Sequence, residues 1–152
     1  MCLYQCHGPH TQDSDVPPLL VGLAHLTLLH LWRYLARRVG WSRMAHKILP
    51  PAVTGPPEFE RTFRAHQNCV EFYPMFLVLL WTCSTFFSEL AAVVGGLVYM
   101  VARQMYFNGY VKSTKKRLPG FYLTLAVMLT LALLALTGIL RGILHKYFHI
   151  HL

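Results

Sequence analysis

From Gly120 to Leu144 the chain carries one charged side chain, Arg141, in a run otherwise built from apolar residues, threonine, tyrosine and glycine. That run matches the roughly 20 apolar residues a helix needs to cross a bilayer. In hydrocarbon it can only be helical, because no water is there to satisfy an open backbone N–H or C=O. Three more windows approach spanning length: Pro18 to Trp32, Tyr73 to Phe87 and Leu90 to Tyr110. The first is short, and the second needs the polar segment before it to reach full length. None shows the repeated period-2 alternation of a membrane barrel. With 55% hydrophobic and 13% charged residues, against about 25% charged in soluble domains, the chain reads as a membrane protein. The expected architecture is all-α, a single transmembrane four-helix bundle with helices at about 18–46, 57–87, 90–113 and 119–147. Residues 1–17 are expected to form a disordered leader and 148–152 a short tail.

The net charge of +8 follows the loops rather than suggesting nucleic acid. Arg33, Arg37, Arg38, Arg43 and Lys47 fall between spans one and two, and Lys112, Lys115, Lys116 and Arg117 between spans three and four. The loop Ser84 to Glu89 has no Lys or Arg. The positive-inside rule therefore puts both odd loops in the cytosol, with Arg141 and Lys146 pulling the other way. Met1 to Pro17 lacks a basic n-region and is not a cleavable signal peptide. Its Cys2, Cys6, His7 and His10 lack a second well-spaced ligand pair, so no metal site is assigned. His145, His149 and His151 read as a helix end at headgroup level, and Cys69 and Cys83 as small apolar side chains in span two.

Pro50-Pro51 and Pro56-Pro57 bracket a stiff loop, after which Glu58 and Glu60 open helix two where negative charge suits the dipole. Pro74 is expected to kink that helix. Along it Arg61, Arg64, Asn68 and Glu71 recur at spacings that share one face at roughly 100° per residue. Charged and amide groups at a membrane boundary persist mainly where they face a protein interior or a polar ligand. Helix three carries a second stripe, Tyr99, Arg103, Tyr106 and Tyr110. An aromatic belt explains Tyr110, but Arg103 and Tyr106 lie deeper on the same line. Lys112, Lys115 and Lys116 suit anionic headgroups, whereas Arg117 stands directly before Leu118-Pro119-Gly120, where helix four begins. Gly95-Gly96 and Gly138-x3-Gly142 suggest close helix packing.

The string PPAVTGPPEFERTFRAHQNCVEFYP, followed by GLVYMVARQMYFNGY and KKRLPGF, resembles the MAPEG family of small membrane proteins of eicosanoid and glutathione metabolism. The likeness covers about Pro50 to Leu136 and, more faintly, Tyr34 to Lys47. It implies a homotrimer in the endoplasmic reticulum membrane and nuclear envelope, with glutathione bound as co-substrate from the cytosolic side between subunits. It further implies that Arg43, Arg64, Asn68, Glu71, Phe72, Tyr106 and Tyr110 contact glutathione and that Arg117 activates its thiol. The implied reaction conjugates glutathione to lipophilic electrophiles, including leukotriene A4 to leukotriene C4, with glutathione-dependent reduction of lipid hydroperoxides beside it. Dedicated leukotriene-forming members have an arginine where this chain has Met44, which cannot donate a proton. His66 stands where relatives carry Gln, and Phe72 replaces a Tyr.

Residue chemistry points the same way. Glutathione offers two carboxylates and one ammonium, which call for guanidinium forks and an acid; Arg64, Asn68 and Glu71 bring these together on one helix face. A fixed cation at a helix start favours the thiolate that must attack, which is the role given to Arg117, with Tyr106 and Tyr110 orienting the peptide. Apolar walls of helices one and four would hold the electrophile at the bilayer edge. Two rival readings remain: a non-catalytic member that presents arachidonate, for which Arg64 and Arg117 are a poor fit, and a structural bundle in which Arg64 and Glu71 merely pair.

Overall fold

The computed structural model describes residues 19–148, so the leader, its Cys2, Cys6, His7 and His10, and His149 and His151 lie outside the described residues. Four helices make up the fold: α1 Leu19–His46, α2 Pro57–Phe86, α3 Glu89–Lys112 and α4 Leu118–Phe148, with a single 3₁₀ turn at Lys115–Arg117 before α4. No strand occurs among the described residues. The protein is an all-α transmembrane bundle, and Pro57–Phe86, Glu89–Lys112 and Lys115–Tyr147 are each long and apolar enough to cross a membrane. α1 is 28 residues long, about 42 Å at 1.5 Å per residue.

Local chemistry sets the helix ends. α1 stops where Lys47 takes a left-handed φ of 56°; the Ile48 N–H then donates to Arg43 O at 3.0 Å and the Lys47 N–H to Met44 O at 3.2 Å. These are the paired bonds of a Schellman ending, which satisfy carbonyls the helix leaves open. Pro57 occupies the first turn of α2 with Glu58 and Glu60 beside it, where a missing N–H costs nothing and negative charge meets the dipole. α2 continues as helix through Pro74 as far as Phe86. Ser88 caps α3 through its hydroxyl to Ala91 N, and Glu89 accepts the Val21 N–H in the first turn of α1 at 3.2 Å. Threonines in the spans turn their hydroxyls back on their own helix, as Thr82 does to Val78 O and Thr130 to Ala126 O, which satisfies these hydroxyls without water.

α2 and α3 form the central pair, and α1 and α4 each pack on both of them. Between the helices lie two buried layers. One joins Val21, Leu28, Phe76, Leu80, Tyr99 and Leu131, with the Phe76 and Tyr99 rings stacked at 3.7 Å. The other joins Leu35, Ala65, Cys69, Tyr106, Phe107 and Tyr110. Outward, Val78, Leu97, Val101, Leu125, Leu129 and Leu133 are exposed, an apolar belt far larger than a water-soluble monomer carries and suited to lipid. Gly142 meets nothing, while a Cβ on Gly138 would strike Phe86 O. The Gly138-x3-Gly142 spacing therefore does not act as one packing face within this chain.

Candidate functional site

Seven residues converge on a polar cleft of about 240 Å³: Arg64, Gln67, Asn68 and Glu71 from α2, Tyr106 and Tyr110 from α3, and Arg117 from the 3₁₀ turn. On α2 these positions climb one face over two turns. On α3 Tyr106 and Tyr110 are one turn apart, their rings 5.8 Å from centre to centre. Both are buried, so the rings form the back wall.

Arg117 reaches this wall because the α3–α4 joint is unusually tight. α3 closes with Ser113 N donating to Gly109 O at 2.9 Å, and Lys116 N then donates to Ser113 O at 3.1 Å. The chain returns directly over α3: a Cβ on Gly109 would run into the Lys116 carbonyl, and one on Gly120 into the Tyr106 backbone. Only glycine permits such backbone approach. The Arg117 guanidinium consequently lies 4.8 Å from the centre of the Tyr110 ring, a contact worth roughly 0.5 to 1 kcal/mol at a partly open site. Lys115 and Lys116 in the same turn are exposed and point away from the cleft lining.

Arg64 and Arg117 take part in no hydrogen bond or ion pair among the described residues, and Glu71 accepts only the Gln67 amide N–H, at 3.3 Å. The internal Arg64–Glu71 pair that a purely structural bundle would use is not formed. Two guanidinium forks and one carboxylate thus face one cleft without neutralising one another, the donor and acceptor set that suits a zwitterionic, carboxylate-bearing ligand. Gln67 was absent from the expected set; its place four residues before Glu71, where helical side chains meet, was the available signal.

Behind the cleft sits Arg103, 1% exposed. Its Nη1 donates to Asn68 Oδ1 at 3.3 Å, its Nη2 to Asn68 O at 3.2 Å and its Nε to the Tyr99 hydroxyl at 3.3 Å. The guanidinium also lies 4.6 Å from the Phe72 ring centre and 5.3 Å from that of Tyr106. Phe72 therefore faces inward, under Arg103 and edge-on to Phe121 at 6.0 Å, and not among the cleft-lining side chains.

Arg43 lies elsewhere too. It donates to Ala52 O at 2.7 Å, rests over Phe59 and Phe63, and lines a separate recess with Arg37, Trp41, Met44 and Lys47. Arg61, which shares the α2 stripe, turns aside to donate to Val111 O at 3.2 Å and so closes the carbonyl end of α3. Met44 is 69% exposed at the end of α1. Among the described residues no group of three His, Cys, Asp or Glu side chains could hold a metal ion.

Comparison with known proteins places this geometry in context. The chain is 47% identical over 119 residues to microsomal glutathione S-transferase 2 of Homo sapiens, covering 78% of this chain and 81% of that protein. With the Mus musculus protein of the same name it shares 48% over 118 residues, 78% of this chain and 80% of that one. Leukotriene C4 synthase of Bos taurus is 44% identical over 124 residues, 80% of this chain and 83% of the relative. The model of the MAPEG family matches residues 19–137, a stretch that takes in α1 to α3, the first two-thirds of α4 and every residue of the cleft, and the chain belongs to that family.

Proposed function

We propose that this protein is a membrane glutathione transferase, conjugating glutathione to lipophilic electrophiles that reach it through the bilayer, leukotriene A4 among them. The observation that carries the reading is the meeting of Arg64, Glu71 and Arg117 with Tyr106 and Tyr110 in one polar cleft of an otherwise apolar bundle. Relatives named for glutathione transfer and for leukotriene C4 synthesis support it. The arginine forks hold the tripeptide's carboxylates and Glu71 its ammonium. Arg117 offers donors and no acceptor, so it acts as a fixed cation that favours the thiolate and not as a base; the thiol proton leaves to solvent. The thiolate sulfur then attacks carbon. A C–S bond forms, an epoxide C–O bond breaks, and water protonates the alkoxide. Met44, with no proton to give, assists none of this. The same thiolate can attack a lipid hydroperoxide, breaking O–O to leave an alcohol and a glutathione sulfenic acid that a second glutathione converts to the disulfide and water.

We further propose a homotrimer with glutathione between subunits, in which Arg43, held apart from the cleft of its own chain by Ala52, Phe59 and Phe63, meets the cleft of a second copy. We place the cleft toward the cytosol on the strength of the Lys-rich α3–α4 joint beside it, and the protein in the endoplasmic reticulum membrane and nuclear envelope by its likeness to relatives named as microsomal.

The test is Arg117. Arg117→Ala should lower the turnover of conjugation about a hundredfold, the scale of losing an electrostatic stabiliser from a water-poor site, and move the apparent pKa of the bound thiol upward. Arg117→Lys should restore part of the rate as a point charge without the planar fork. Normal turnover and an unmoved pH profile in both variants would reduce Arg117 to a headgroup anchor and overturn its role.

A further inference from the structure

The geometry points to Arg103 as a positioning residue that sets the polarity of the cleft floor: it locks the Asn68 amide so that its NH₂ group, and not its oxygen, is presented to the ligand. The inference rests on the glutathione reading above. Arginine has donors only, so whichever end of an Asn amide it touches must be the oxygen, and the usual ambiguity of amide orientation disappears. Here Nη1 meets Oδ1 at 3.3 Å while Nη2 meets the backbone oxygen of the same residue at 3.2 Å. The two contacts clamp side chain and main chain of Asn68 together.

Arg103 cannot turn away. Tyr99 holds its Nε, and the rings of Phe72, Tyr99 and Tyr106 enclose the guanidinium at 4.6 to 5.5 Å. With Oδ1 occupied from below, the Asn68 Nδ2 hydrogens are directed into the cleft that Arg64, Glu71, Tyr106 and Tyr110 share. The floor thus recognises an oxygen acceptor, a carboxylate or peptide carbonyl of the tripeptide, and rejects a donor at that point.

A second consequence comes from charge. No carboxylate lies within ion-pair distance of Arg103 among the described residues, so a buried cation stands directly beneath the site with its compensation left to an anionic ligand. Glutathione should therefore raise the melting temperature of the protein more when Arg103 is present than when it is replaced.

The experiment compares the full-length, detergent-purified protein with Asn68→Ala, Asn68→Asp, Arg103→Met and the double variant Asn68→Ala/Arg103→Met, measuring glutathione affinity, KM, kcat and thermal melting. Asn68→Asp is decisive because a carboxylate pairs with Arg103 at least as well as the amide does, so the fold is kept, yet it offers the ligand an acceptor where a donor stood. It should melt at or above the wild-type temperature and lose at least tenfold in glutathione affinity. Asn68→Ala and Arg103→Met should each raise KM for glutathione about tenfold with kcat changed less. The double variant should be no worse than either, as expected of residues acting as a unit. Wild-type affinity in Asn68→Asp, or losses that simply add in the double variant, would overturn the inference while leaving the transferase reading intact. A wild-type protein that takes up no glutathione would overturn both.

Discussion

Arg64 stands exposed on the cleft wall with no partner of its own among the described residues, so its removal should touch the ligand and little else. Arg64→Ala is expected to weaken glutathione binding at least tenfold by calorimetric titration, since a hydrogen bond to a charged group contributes about 1.5 to 3 kcal/mol. The melting temperature of the ligand-free protein should hardly move. An unchanged affinity would remove Arg64 from the site. At this scale the cleft was largely legible in the sequence: Arg64, Asn68, Glu71, Tyr106, Tyr110 and Arg117 do converge. Spacing along a helix reports which residues share a face, and a polar face inside a membrane has few uses. It does not report how far one helix face lies from another. For that reason Arg43, on α1, could be matched to a family position yet sit over Phe59 and Phe63. It also says nothing of which edge of a face turns inward, so Phe72 ended beneath Arg103 and Arg61 at the end of α3.

Between residues and bundle, the elements that matter most are the two glycine contacts that fold the Lys115–Arg117 turn onto α3. Gly109→Val would push a branched side chain into the Lys116 carbonyl and displace Arg117 from its place over Tyr110. Conjugation turnover should fall by about a hundredfold, the penalty for misplacing a catalytic group by an ångström or so, while Gly40→Ala, which meets no atom of its own chain, serves as a control for helix α1. Full turnover in Gly109→Val would mean the turn does not hold Arg117. Helix positions were readable from the Pro-Pro pairs, from Glu58 and Glu60 and from the basic loops, because these residues act locally. Of the Gly138-x3-Gly142 pair, Gly138 does pack closely on the Phe86 backbone while Gly142 meets nothing within its own chain, and Gly109 and Gly120 carry no sequence signal of their own. Their importance depends on the return of the chain over α3, a tertiary event that no local rule encodes.

Taken as a whole molecule, the bundle has a pronounced asymmetry: apolar residues face outward along the spans, and the polar groups gather at the end where α1 closes, α2 begins and α3 meets α4. Length and apolarity were enough to recognise a helical membrane bundle, since a bilayer admits few alternatives, whereas the pairing order, with α2 and α3 central and α1 and α4 to the sides, required the structure. On the proposed reading such a layout would set a water-soluble thiol peptide against a lipid-soluble electrophile, and the central claim is that the cleft stabilises a thiolate. The direct measurement is the ultraviolet absorbance of thiolate as glutathione is titrated into the detergent-purified protein at neutral pH, where the free thiol, with a pKa near 8.5, is mostly protonated. A saturable thiolate band should grow in the wild type and be lost in Arg117→Ala at glutathione concentrations that still fill the cleft. Absence of any such band in the wild type at saturating glutathione would contradict the claim.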